Sequence, residues 1–231
     1  MKTIGLIGGM SWESTIEYYR ILNETVRQQL GGLHSAKCIL FSVDFADIER
    51  LQHQGNWQAA SQILVEAAQQ LQMAGASMVL LCTNTMHKIA EDIEARISVP
   101  FLHIADAVGD RIQEKGLRQV GLLGTKFTME QDFYRQRLAN RYGLTVLVPE
   151  AAGRDRIHQI IYSELCLGDI NPTSARAMQD IIAGLASQGA EGIILGCTEL
   201  ELLITQTQTP LPLFPTTQIH AAAAVNQALN D

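Results

Sequence analysis

Short runs of Val, Ile and Leu bounded by glycine alternate along this chain with longer segments whose apolar residues recur every three or four positions. TIGLIG at 3–8 is followed by a helical period over Trp12–Gln29, AKCILFSV at 36–43 by another over Trp57–Ala74, and SMVLL at 77–81 closes the series. Strand-length runs separated by helix-length segments predict βαβ units and a parallel sheet. Ser11, just ahead of Trp-Glu-Ser, is placed to cap the first helix, along which Ile16, Tyr19, Leu22 and Val26 fall at spacings of three and four.

The pattern then repeats. IGLIGG at 4–9 resembles VGLLGT at 120–125, AGASMVLLCTNT at 74–85 resembles QGAEGIILGCTE at 188–199, and VPFLH at 99–103 resembles LPLFP at 211–215, with offsets of 116, 114 and 112 residues. Offsets that shrink slightly in register are what two copies of one unit with different loops produce. The fold class expected is α/β, with two similar lobes related by a pseudo-two-fold, each a parallel sheet flanked by helices, and an active site in the cleft between them.

Aligning Gly75 with Gly189 sets Thr83, not Cys82, opposite Cys197, and Asn84 opposite Thr198. Ligands of parallel α/β sheets bind beyond the carboxyl ends of the strands, where both segments emerge. Side chains alternate faces along a strand, so Cys82 is expected to point away from Thr83 unless the turn begins before it.

Composition narrows the class. A chain of 231 residues with 47% hydrophobic and 18% charged side chains can bury a large core. The formal net charge of −7, with no Lys/Arg run, argues against nucleic acid and anionic membrane as partners. The apolar stretch Ile4–Met10 is too short and too interrupted by glycine for a signal peptide or a span, so a cytoplasmic location is expected. Cys38, Cys82, Cys166 and Cys197 lack the spacing of a disulfide framework or a zinc site, which leaves reduced thiols and no metal. The first turn lacks GxGxxG, and no lysine stands in a recognisable pyridoxal context, so no cofactor is expected.

TNTMH at 83–87 and LGCTEL at 195–200, with GLIGGM near the start and GLLGT at mid-chain, resemble the paired signatures of the cofactor-independent aspartate/glutamate racemase family. The resemblance covers nearly the whole chain. Within that family it points to the bacterial aspartate racemase and broad-specificity amino-acid racemase branch, because Glu199 stands where typical glutamate racemases carry His. It implies a PLP-independent isomerase acting on aspartate and/or glutamate, two α/β lobes with the site between them, and a homodimer. By analogy the chain crosses lobes near Val99 and returns near Pro210, giving residues 1–98 plus 209–231 as one lobe and 99–208 as the other. Family members set one cysteine on each side of the substrate Cα, the first directly before Asn-Thr; here that place holds Thr83.

Racemisation removes the Cα proton from one face and returns one to the other, which calls for two groups placed oppositely. Cys197 is the expected base, because a thiol pKa is readily lowered at a helix N-terminus or beside a cation, and the family resemblance implies that this second cysteine acts on the L-enantiomer. Thr83, a very weak acid, donates a proton more readily than it abstracts one, and is expected to supply the opposite face. Asn84, Thr85 and Thr198, with their backbone N–H groups, suit the developing carboxylate charge. Met10 reads as a pocket-lining residue or a core methionine, and Gln52 as a carboxylate ligand or a solvated helix end. Thr125 and Thr128 read as hydroxyl ligands or surface-turn residues, Glu199 as the partner of a base or of the substrate ammonium, and His87, four residues beyond Thr83, as a site residue or equally a structural helix-start residue. Arg50, Lys126, Arg154 and Arg156 are the candidate partners of an acidic side chain, and no motif chooses among them. Two other classes fit the same residues: a decarboxylase of related fold using the single thiol of Cys197, and a non-catalytic amino-acid-binding protein.

Overall fold

The computed structural model describes residues 1–230 and divides the chain into two compact units. The first comprises Met1–Ile104 together with the residues from His220 onward, the second Ala105–Ile219.

In the first unit, strands β1 (Ile4–Gly8), β2 (Cys38–Ser42), β3 (Met78–Leu81) and β4 (Phe101–Leu102) form one parallel sheet in the order β2-β1-β3-β4. The alternation of side chains builds a core on each face. Ile7, Val79 and Leu81 pack beneath helices Phe45–His53 and Trp57–Met73 with Ile48, Leu64 and Leu71. Ile4, Leu6, Met78, Leu80 and Cys82 face the other way, onto Tyr18, Leu22 and Val26 of helix Trp12–Leu30 and Ala221, Ala224 and Val225 of helix Thr216–Leu229.

Ser11 does cap the first helix, its Oγ accepting from Ser14 N at 3.4 Å. The apolar face differs from the expected one. Its buried arc is Ser14, Thr15, Tyr18, Ile21, Leu22 and Val26, while Ile16 and Tyr19 are 52% and 57% exposed. At 3.6 residues per turn, Tyr18 lies on the arc with Leu22; Ile16 and Tyr19 instead join Trp12 in a stripe alongside that arc.

The second unit repeats the plan in strands β5 (Gln119–Gly124), β6 (Thr145–Leu147), β7 (Ile193–Gly196) and β8 (Leu213–Pro215), all parallel, in the order β6-β5-β7-β8. Its main core packs Leu123, Ile193 and Leu195 against Ile157 and Ile160 of helix Ala151–Ser163 and Met178, Ile182 and Leu185 of helix Pro172–Ser187. Central strands bounded on both sides by helices need the near-continuous apolar runs seen in the sequence. The three repeated segments therefore form corresponding strands, β1 with β5, β3 with β7 and β4 with β8. Asp106 anchors helix Asp132–Tyr142 of this unit through a bidentate pair with Arg137, at 2.7 Å on both oxygens, and a further contact from Arg141 at 2.5 Å.

Candidate active site

The polar turns that carry the candidate residues all leave the carboxyl ends of central strands. In the first unit, β1 and β3 are neighbours in register Ile7↔Leu81, so Gly9-Met10 and Thr83-Asn84 emerge side by side. The β1 turn is tight: Gly9 has φ +90°, a Cβ there would come within 2.2 Å of the Val43 carbonyl oxygen, and its N–H donates to Thr15 Oγ1 at 2.8 Å. Glycine is the residue that tolerates both constraints.

β3 ends on a parity that separates its two candidate residues. Met78, Leu80 and Cys82 share one face, and Cys82 is fully buried in the core beneath the Trp12–Leu30 helix, where burial pushes its thiol well above the ordinary range. Thr83 is half-buried and follows the parity of Val79 and Leu81. Its N–H turns back to the Leu81 carbonyl at 2.9 Å, and the chain enters the short 3₁₀ helix Thr85–Ile89.

In the second unit β5 and β7 are neighbours in register Gly124↔Gly196, which sets Thr125 beside Cys197 at adjacent strand ends. Cys197 follows the parity of Ile193 and Leu195 and packs against the same cluster as they do. Thr83 and Cys197 thus hold equivalent positions, each within its own unit, while Cys82 corresponds to Gly196.

Cys197 does not sit beside a cation. Its thiol donates to Glu199 Oε2 at 2.9 Å, and its pKa is pushed well above the usual thiol range, first by burial and then by the Glu199 carboxylate, with Cys166 adding to the effect. The expectation of a lowered thiol pKa is therefore reversed. The turn leads into only four helical residues, Leu200–Leu203, and the nearest charge is negative. The resting dyad is a thiol hydrogen-bonded to a carboxylate.

Thr198 Oγ1 accepts from Thr217 Oγ1 at 3.1 Å. Thr125 caps helix Lys126–Glu130, its Oγ1 accepting from Thr128 N at 3.3 Å and lying 3.2 Å from Thr128 Oγ1, and both threonines are buried. Met10 is 5% exposed and belongs to the first unit's core. Gln52 is buried, its Nε2 2.8 Å from Met86 Sδ. Thr85 is buried at the start of the 3₁₀ helix, and the Asn84 carbonyl accepts from His87 N at 3.1 Å.

The four basic candidates each hold a protein partner. Arg50 meets Asp47 at 3.0 Å, Lys126 meets Asp155, Arg154 meets Glu130 at 2.8 Å and the Pro149 carbonyl at 2.7 Å, and Arg156 reaches Gln159 at 3.4 Å. Among the described residues, no group of three or more His, Cys, Asp and Glu side chains is placed to hold a metal ion, and no helix is long and apolar enough to cross a membrane.

A buried histidine cluster in the first unit was not legible as such. His220 Nε2 is 2.8 Å from the Leu102 carbonyl and its Nδ1 2.8 Å from the Tyr18 hydroxyl. The carbonyl can only accept, so Nε2 carries the proton and Nδ1 is left to accept from Tyr18. His87 and His103 meet edge to face in the same cluster with ring centroids 4.5 Å apart, and both are 2% exposed. The one sequence signal for any of this was the four-residue step from Thr83 to His87.

Paired parallel α/β units, each delivering a polar turn from the equivalent central strand, define an enzyme architecture with its chemistry at the strand ends. The family model described as Asp/Glu/Hydantoin racemase matches residues 7–224, and the chain belongs to that family: it is an amino-acid racemase, an isomerase. A Yersinia pestis protein proposed to be an Asp/Glu racemase is 54% identical over the full length of both chains, with a TM-score of 0.95. An aspartate racemase homologue from Pyrococcus horikoshii is 35% identical over 99% of both, at a TM-score of 0.87. Among curated relatives, the broad-specificity amino-acid racemase RacX of Bacillus subtilis is 25% identical over 169 residues, 72% of this chain and 71% of that one.

Proposed function

We propose that the protein racemises aspartate and/or glutamate without a pyridoxal cofactor, with Cys197 and Thr83 addressing opposite faces of the substrate Cα. The observation that carries this reading is the equivalence of the two residues: each stands two residues after the last core-packed residue of its central strand, Leu81 in β3 and Leu195 in β7, and shares that residue's parity. The aspartate racemase homologue supports an acidic substrate, and RacX supports a broader range.

In the L-to-D direction, the thiol proton of Cys197 first moves to Glu199, leaving thiolate beside a neutral carboxyl. The thiolate then takes the Cα proton, and the electron pair left on Cα delocalises into the substrate carboxylate, where Asn84, Thr85 and Thr198 lie at the strand ends to donate hydrogen bonds. Thr83 gives its hydroxyl proton to the other face, directly or through a water, and recovers one from solvent, while Glu199 releases to solvent the proton it took from the thiol, which restores the resting pair.

The dyad makes a specific demand on pH dependence. Because one proton is already shared between Cys197 and Glu199, the native pair reaches its reactive form without losing a proton to solvent. With Glu199→Gln the proton must leave to bulk from a half-buried thiol. Removing the negative charge lowers that thiol's pKa relative to the native protein, but burial still holds it up. The expected result is a loss of about 10²-fold or more in kcat at neutral pH, recovered progressively as pH rises into the alkaline range. A Glu199→Gln variant with the native rate and a native pH profile would remove Glu199 from the mechanism.

The same reading has the enzyme working as a cytoplasmic homodimer. The exposed stripe of Trp12, Ile16 and Tyr19, together with Leu40 and Phe41 on edge strand β2, supports an association surface on the first unit.

A further inference from the structure

We propose that His87 is the positioning residue for Thr83; the inference rests on the reading of Thr83 as the proton donor. The imidazole bridges two backbone groups far apart in sequence. Its Nδ1 lies 2.7 Å from the carbonyl oxygen of Thr83, and its Nε2 accepts from the N–H of Ile104 at 3.1 Å. These two partners fix the state of the ring without appeal to pH. A backbone N–H donates only, so Nε2 keeps its lone pair; a carbonyl accepts only, so Nδ1 carries the proton. His87 is a neutral ring in one tautomer, held on both sides by groups that cannot exchange roles.

The placement matters because of what is clamped. Thr83 is the residue at which the chain leaves β3, and its own N–H has already turned back to Leu81. With its carbonyl tied to the ring four residues later, the peptide on each side of its Cα is held, and with it the direction in which the Cα–Cβ bond that carries the hydroxyl leaves the backbone. The other end of the clamp is the first residue of helix Ile104–Glu114, just beyond β4, the strand paired with β3. A ring that is 2% exposed, packed 4.5 Å from His103, 5.7 Å from Phe101 and 5.8 Å from His220, has little freedom to leave this position. A side chain that engages backbone groups through both of its ring nitrogens at a strand end acts on geometry, not on the reacting atoms.

Replacing His87 by Asn keeps a side-chain N–H near the position of Nδ1, within reach of the Thr83 carbonyl. Gln carries its amide further out, where it can accept from Ile104 but not return to Thr83. The readout is the ratio of Cα deuterium exchange to inversion for the L-substrate in D₂O, measured beside thermal unfolding. Loss of a merely structural residue lowers exchange and inversion together and leaves their ratio alone. Mispositioning Thr83 lowers inversion while abstraction by Cys197 continues, so the ratio rises. His87→Ala and His87→Gln are expected to raise it by about tenfold or more, His87→Asn to stay within about threefold of the native value, and Thr83→Ala/His87→Ala to match Thr83→Ala alone. Should His87→Ala fail to fold, the Asn and Gln variants carry the comparison. Native ratios in both His87→Gln and His87→Ala, with Thr83→Ala raised, would overturn the positioning role; a native ratio in Thr83→Ala itself would instead overturn the assignment of Thr83.

Discussion

Cys197→Ala is expected to lower inversion of either enantiomer by about 10²–10⁴-fold, the range associated with removing a positioned acid–base group, while shifting the unfolding free energy by no more than about 1 kcal/mol. Abstraction from the L-face loses its base, so Cα exchange of the L-substrate should fall with inversion. The informative companion is Cys82→Ala. Its sulfur is fully buried with Met78, Leu80 and Leu22, so its removal leaves a void and should cost about 1 kcal/mol or more of stability. Turnover per folded molecule should be retained. The two cysteines therefore separate cleanly in chiral chromatography and chemical denaturation, one affecting rate and the other stability. The reverse outcome, exchange abolished by the Cys82 change and intact without Cys197, would return the site to a differently registered turn.

Thr83→Ala is the second large effect, and its signature is a split. Inversion should fall by about 10²-fold or more, because the carbanion is no longer protonated on the far face. Exchange of the L-substrate should persist, since Cys197 can abstract and return a proton that it shares with Glu199. Exchange of the D-substrate should fall with inversion. Enantiomers have equal free energies in water, so kcat/KM for inversion must drop by the same factor in both directions; any asymmetry of the native enzyme appears in kcat and KM separately. Equal losses of L-exchange and inversion would argue that Thr83 supports the fold of the turn and not the proton transfer.

Much of the architecture was legible because it depends on spacing alone. Parallel strands covered on both faces require uninterrupted apolar runs, and these were found where β1 and β3 form; the run at β2 also marks a strand, although at the sheet edge it leaves Leu40 and Phe41 exposed. The internal repeat was readable for the same reason, and the two sheets share one strand order. The helix Trp12–Leu30 was found with its cap, but its face was misjudged: Ile16 and Tyr19 satisfy a spacing rule that Tyr18 and Ile21 satisfy as well, and only the neighbouring strands decide which arc is buried. Polar residues were harder still. Nothing in LGCTEL distinguishes a thiol made acidic by its turn from one made less acidic by the carboxylate two residues on, because the sign depends on where the Glu199 side chain bends. The His87 clamp joins residue 83 to residue 104, a pairing that local pattern does not encode.

The central claim, that a thiol and a hydroxyl act on opposite faces of one α-carbon, is tested most directly by the isotopic content of the first product. The native enzyme is incubated with an unlabelled L-substrate in D₂O and sampled at low conversion, the enantiomers are separated, and each is weighed by mass spectrometry. The D-product should carry deuterium at Cα from its first appearance, since its proton arrives from Thr83 and solvent, while the recovered L-substrate is labelled more slowly. A D-product that retains the substrate's own hydrogen would mean that one group serves both faces, and the account given for Thr83 would not stand.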